Sequence, residues 1–253
     1  MVIIEAPDKY DNKTFHANFQ PEKETGNDVL YTSELAIGYD HPLSVVSLDL
    51  KRGEKLGILG GNGLGKSTFL KTIVGKIPAL SGEYRFGTNV QIGYFDQQMA
   101  MYTSNKTVLD DFWDEYPNLT ETEARNALGA FLFSGDDVFK NVNMLSGGEK
   151  VRLALCKILK TRPNVLVLDE PTNHMDIVGK ETLESMLKDY KGTLIFVSHD
   201  RYFVKKVATQ LLVFEDGTTN LYQLAMSSIR KSSTGRLRRA KMYTEAMQYL
   251  AVR

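Results

Sequence analysis

Only one cysteine, Cys156, occurs among the 253 residues, so no disulfide can form within the chain. It sits in the apolar run VRLALCKIL, which predicts a buried, inert thiol and fits a reducing cytoplasm. Long hydrophobic runs are missing too. No apolar stretch approaches the roughly 18 residues that a membrane span needs, so direct membrane insertion is not expected. The start, MVIIEAPDKYDNK, lacks the basic-then-apolar order of a secretory signal. Histidines number four and form no metal-ligand spacing; His16, His41 and His174 stand in no supporting pattern. Net charge is also absent, with 31 basic and 31 acidic residues.

That neutrality is uneven. Residues 225–253 hold seven Lys/Arg (Arg230, Lys231, Arg236, Arg238, Arg239, Lys241, Arg253) against one acid, Glu245, leaving 24 basic and 30 acidic residues elsewhere. A basic tail on a mildly acidic body suits contact with RNA or another acidic surface, or a solvated end. The body, in a chain 42% hydrophobic and 25% charged, has material for one sizeable core and a smaller lobe.

Three segments are expected: a linker or edge extension over 1–33, in which only TFHANFQ alternates like a strand; a folded body over 34–224; and the tail. Within the body, ELAIGY, VVSLDL, KLGIL, EYRF and VQIGYF read as strands. KLGIL feeds a Gly-rich loop and then a helix with Phe69, Leu70, Ile73 and Val74 on one face and Gly75 at its C-terminal cap. Between Gln98 and Met144 the texture is helical, with Thr120 and Glu123 as a capping box ahead of Ala124, Leu128, Phe131 and Leu132 on one face. With the helix that follows, a helical subdomain spans about 98–160. NVLVLD and TLIFVS are continuous apolar runs, the mark of strands buried on both faces. The helix between them, from Gly179 to Tyr190, makes a βαβ crossover, so the fold class is α/β.

Gly60 to Ser67 reads GGNGLGKS, which fits G-x-x-x-x-G-K-[ST] between a strand and a helix, the context the motif demands. Glycines let successive N–H groups turn toward phosphate oxygens, and the helix start adds partial positive charge. The nucleotide-binding set read from this loop is Gly60, Asn62, Gly63, Gly65, Lys66, Ser67 and Thr68. Lys66 would reach the β- and γ-phosphates of ATP, and Ser67 would ligate Mg²⁺. The alternative is a glycine turn with a chance lysine, which average composition produces in about one chain in a hundred of this length.

NVLVLD ends in Asp169 and Glu170, so two carboxylates leave the carboxyl edge of a buried strand, where α/β sheets bind ligands. Asp169 suits Mg²⁺, and Glu170 suits the deprotonation of an attacking water. A plain helix cap before Pro171 is the bland alternative. His199 follows TLIFVS at the same edge, where a γ-phosphate contact is expected; the alternative is a structural histidine, which its place beside Ser198 and Asp200 disfavours. LSGGE, Leu145 to Glu149, precedes a helix: Ser146 and Glu149 make a capping box, and the two glycines leave N–H groups at a positive helix end.

In order and approximate spacing, the phosphate loop, Gln97 in YFDQQ, LSGGE, VLVLDE and VSHD resemble the ATP-binding cassette ATPases over about residues 34–222. The resemblance implies a P-loop core with an antiparallel β subdomain and a helical subdomain. It also implies a second cassette, as a homodimer or the other half of a tandem chain, that clamps ATP between the two. On this resemblance Ser146, Gly147 and Gly148 serve the partner's nucleotide, Asp176 crosses the interface, Gln97 touches Mg²⁺ and the attacking water, and Tyr39 stacks on adenine. DEPTNHMD, LSGGEKVRLAL and VSHDRYF resemble the ABC-F branch, and within it the second cassette. ABC-F proteins bind ribosomes and act in translation or antibiotic resistance. The alternative is the nucleotide-binding subunit of a transporter. One cassette without the long charged linker of that branch implies an excised half of a longer protein or a half that pairs with another chain.

Overall fold

In the computed structural model, which describes residues 19–224, the first elements are β1 (Asp28–Gly38) and β2 (Pro42–Lys51), followed by β3 (Lys55–Gly60) and α1 (Lys66–Ile73). β4 (Ser81–Phe86) and β5 (Ile92–Phe95) come next, then the helices α2 (Val108–Trp113), α3 (Glu121–Gly129) and α4 (Gly147–Lys160). The chain returns through β6 (Val165–Asp169), α5 (Ile177–Asp189), β7 (Thr193–Val197), α6 (Arg201–Val207), β8 (Gln210–Glu215) and β9 (Thr218–Gln223). The expected α/β class holds. An antiparallel sheet has the order β2-β1-β4, and a second sheet has the order β5-β6-β7-β3-β8-β9, parallel except for β8 with β9.

The larger sheet separates two cores, and the strand pleat explains how. On β6, Val165 and Val167 face the antiparallel sheet and α1, while Leu166 and Leu168 face the helices. On β7, Ile195 and Val197 take the first side, Leu194 and Phe196 the second. A strand covered on both faces has no polar positions, so these runs read as continuous apolar sequence. Cys156 is fully buried among the helices, and burial pushes its thiol well up from the ordinary range.

Four expectations need correction or extension. The boundary between residues 33 and 34 runs through β1, where Leu30 pairs with both Leu50 and Phe86. A polar stretch concealed a strand start because Val29 and Leu30 are the buried apolar residues ahead of Thr32. The leading segment also packs on the body: Phe19 meets Phe131 edge-on at 5.2 Å, and the Arg162 Nε–H donates to the Gln20 carbonyl at 2.9 Å. Helix α3 ends at Gly129, so Phe131 and Leu132 lie beyond it; Leu132 adopts φ 64°, and Phe133 fills the core in its place. Finally, α6, β8 and β9 follow VSHD, where no element was assigned. Nearly all of TFHANFQ and the whole basic tail fall outside the described residues.

Candidate functional site

The carboxyl ends of β5, β6, β7 and β3, neighbours in that order, deliver the loops bearing Gln97, Asp169–Glu170, His199 and the phosphate loop to one edge. At the end of β3 the backbone turns through Gly60, Gly63 and Gly65 with φ of 146°, 81° and 98°. Only glycine enters these regions without strain. A Cβ on Gly60 would also stand 2.7 Å from the Phe214 carbonyl oxygen. Gly65 is the N-cap of α1 and makes no side-chain cap bond, which leaves the first N–H groups of that helix available to an anion.

Lys66 is buried and folds over the loop, donating to the carbonyls of Gly60 at 2.9 Å and Gly61 at 2.7 Å. Burial lowers its pKa, while the charges of Glu170 and Asp169 act in the opposite sense. Thr68 is buried behind it, whereas Asn62 and Gly63 are exposed. The Ser67 hydroxyl donates to Asp169 Oδ1 at 3.0 Å. Asp169 is 8% exposed, and desolvation raises its pKa against that hydrogen bond.

Glu170 leaves β6 with φ 52°, a conformation disfavoured by about 1–2 kcal/mol outside glycine and tolerated where the surroundings impose it. Its N–H is tied to the Val197 carbonyl at 3.0 Å. The His199 backbone N–H donates to Glu170 Oε2 at 3.1 Å. Glu170 Oε1 is buried without a hydrogen-bond partner; the His199 Nε2 lies 3.3 Å away, near enough to pair when protonated but outside hydrogen-bond geometry. Burial raises the Glu170 pKa and the neighbouring His199 draws it back. A buried carboxylate with a raised pKa and one uncommitted oxygen is equipped to take a proton from water.

A hydroxyl and a carboxylate oxygen form a hard donor set suited to Mg²⁺. Among the described residues no cluster of three or more His, Cys, Asp or Glu could hold a metal by itself. Such a site fits an ion that takes its remaining ligands from water and phosphate.

Gln97 opens a 3-10 turn capped by Asp96, which accepts from the Met99 N–H. Asp96 is buried and held by Lys76 at 3.0 Å, and Lys76 also lies 4.4 Å from the Tyr94 ring centre. The sequence reading missed this clamp, whose only signal was the acid preceding Gln97. Gln97 itself contacts His174, with Nε2 to Nε2 at 3.0 Å. No sequence pattern supports His174, and its place between Glu170 and Asp176 is the clue that could have found it.

The remaining expected residues stand on other turns, with Gly147 and Gly148 against His174. Ser146 spends its hydrogen bonds within its own turn, accepting from the Glu149 N–H at 3.3 Å while its N–H donates to Glu149 Oε2 at 2.8 Å. The double glycine has a packing reason that the sequence hid. A Cβ on Gly148 would meet the His174 carbonyl oxygen at 2.5 Å, whereas one on Gly147 would find ordinary contacts from 3.4 Å. Asp176 caps α5, accepting from the Gly179 N–H at 2.9 Å. Tyr39 is 62% exposed, and Met144 and Ile177, beside the Ser146 turn and Asp176, are 80% and 76% exposed.

A family model described as ABC transporter matches residues 43–173. A Bacillus subtilis protein named for ATP binding, YdiF, is 52% identical over 205 residues, covering 80% of this chain and 32% of its own length. The Arabidopsis thaliana ABC transporter F family member 5 is 39% identical, covering 87% of this chain and 32% of its own length. The chain thus spans about a third of each relative. A dimeric ATP-binding cassette in a post-hydrolysis state, bound to ADP and Pi, superimposes with a TM-score of 0.64 at 20% identity, covering 78% of this chain and 99% of its own. A bacterial Atm1-family ABC exporter with ATP bound gives 0.70 at 18% identity, covering 92% and 44%; identities this low speak for the fold.

Proposed function

The chain belongs to the ATP-binding cassette family, and from that premise we propose that it binds Mg-ATP and hydrolyses it as one of two facing cassettes in an ABC-F-type protein acting on the ribosome. The observation that carries the hydrolytic reading is Glu170, whose buried Oε1 makes no hydrogen bond, next in the chain to Asp169, which accepts from Ser67. In this reading the loop N–H groups, Lys66 and Thr68 bind the phosphates, with Asn62 at the rim. Ser67, Asp169 and Gln97 hold Mg²⁺, which when bound draws charge from the phosphate oxygens. Glu170 Oε1 takes a proton from water, while His199 orients Glu170 and meets the γ-phosphate. Tyr39 offers an exposed ring to adenine.

A partner cassette is supported by two exposed apolar side chains, Met144 just before the Ser146 cap and Ile177 next to Asp176. Exposed apolar residues grouped beside polar ligand groups suit an interface. Ser146, Gly147, Gly148 and Asp176 would complete the partner's site. Turnover per chain should therefore rise with protein concentration; a rate flat over a range where sedimentation finds monomers would refute this.

The ribosomal reading is supported by the 39% identity to an F family member and by DEPTNHMD. The transporter alternative has the match of residues 43–173 to the family model described as ABC transporter in its favour. Among the described residues no helix is long and apolar enough to cross a membrane, which suits a cytoplasmic cassette of either kind. Co-sedimentation with ribosomes in the presence of non-hydrolysable ATP separates the two. Recovery in the ribosome pellet only with nucleotide is expected, and equal recovery with and without it would sink the ribosomal assignment.

A further inference from the structure

His174 occupies a position that neither metal binding nor proton transfer explains. Its Nε2 lies 3.0 Å from the Nε2 of Gln97, 77 residues away in the chain. Its backbone is held at φ 63°, which persists outside glycine only where the surroundings determine it. Those surroundings are the start of α4, packed so closely that no side chain fits at Gly148 against the His174 carbonyl oxygen. Backbone hydrogen bonds on either side, Asn173 N–H to the Glu170 carbonyl at 3.2 Å and Met175 N–H to the Thr172 carbonyl at 3.4 Å, keep the loop coiled. The ring is therefore carried to Gln97 on a fixed support.

A glutamine amide has two ends of opposite character, an NH₂ that only donates and a carbonyl that only accepts. A metal ion and the proton of a water molecule both require the carbonyl end. An unrestrained amide can present either. In the observed pair the NH₂ end points to His174, so an imidazole nitrogen with a free lone pair accepts from it and leaves Oε1 for the site. We propose that His174 is a positioning residue for hydrolysis, fixing the Gln97 amide with its carbonyl oxygen toward the metal and the attacking water, and that it does so as the Nδ1-protonated tautomer. This rests on the reading of Gln97 given above.

Two measurements on the whole chain test it. In nucleotide-free protein with ¹⁵N-labelled imidazoles, His174 should carry its proton on Nδ1 with a bare Nε2, and Gln97→Ala should return it toward the tautomer mixture of free histidine. In kinetics, His174→Leu keeps the backbone strain but removes the acceptor, and should lower kcat about tenfold with KM for ATP changed less than about twofold. His174→Gln, which offers an amide carbonyl as acceptor, should keep kcat within about threefold. On a Gln97→Ala background, His174→Leu should have no further effect. An Nε2-protonated His174 in the wild type overturns the proposal. So do equal losses in the Leu and Gln variants, or an undiminished loss on the Gln97→Ala background. Wild-type turnover in Gln97→Ala is a separate failure: it removes Gln97 from the site, and the proposal with it, while the tautomer would still report the bond.

Discussion

Two helix starts in this molecule are rich in glycine, and they use it for opposite purposes. At α1 Gly60, Gly63 and Gly65 take positive φ, and the cap, Gly65, contributes no side-chain bond. At α4 the glycines lie inside the helix, Ser146 caps it with a complete box, and Gly148 is small because His174 is pressed against it. Conformational freedom shapes the first turn and leaves the helix start without a side-chain cap. Close approach shapes the second, whose box engages the N–H groups of Ser146 and Glu149 but not those of Gly147 and Gly148. In the proposed reading the first turn is half of a site by itself, and the second meets a nucleotide only when a facing cassette presents one.

The comparison breaks outright if the edge that carries the first turn does no chemistry. Glu170→Gln removes the proposed proton acceptor while preserving shape, and should lower turnover about 10²–10³-fold. ATP affinity, followed by equilibrium binding, should be retained, and the variant should accumulate as an ATP-bound dimer in sedimentation. Turnover within tenfold of wild type, or a monomer at saturating ATP, would end the assignment.

The next largest effect separates packing from conformation. Gly148→Ala forces a methyl against the His174 carbonyl oxygen and should destabilise the fold by about 1–3 kcal/mol, with turnover falling because the second turn is displaced. Gly147→Ala, with contacts from 3.4 Å, should change stability far less. Denaturant midpoints for the pair decide the matter: equal losses would show that close approach is not what Gly148 provides. Gly63→Ala tests the other turn, where a Cβ would meet nothing within 4 Å but the backbone holds φ 81°. Only strain remains there, about 1–2 kcal/mol, and an unchanged midpoint would mean that the loop relaxes.

Local patterns carried most of what the sequence disclosed. GGNGLGKS, the carboxylates after VLVLD and the box at Ser146 are short-range features, each settled by a few neighbouring residues, and the residues they named share one sheet edge or head one helix. What stayed hidden depends on distant contacts. Lys76 reaches Asp96 across 20 residues, His174 reaches Gln97 across 77, and the reason for Gly148 lies in the loop after β6. The early start of β1 was missed because its pairing with β2 and β4, rather than its own composition, makes residues 28–33 a strand. Leu132 was misplaced on the α3 face because helical periodicity continued on paper past Gly129, where the chain leaves the helix for a left-handed turn.

The smallest predicted effect is also the one that best isolates the second turn, because the molecule contains a matched control. Thr120 heads α3 with the same box as Ser146: its side chain accepts from the Glu123 N–H, and Glu123 accepts from the Thr120 N–H. Removing either cap hydroxyl exposes an N–H group and should destabilise by about 1 kcal/mol. If Ser146 only caps a helix, Ser146→Ala and Thr120→Ala will be indistinguishable in both midpoint and turnover. If its hydroxyl also meets a nucleotide held by a facing cassette, the two will share the stability loss, but only Ser146→Ala will lower turnover. That deficit should shrink when protein and ATP are raised together, since a weakened contact between cassettes is offset by mass action. A turnover loss in Thr120→Ala of the same size would trace the effect to the helical lobe as a whole and remove the distinction between the two turns.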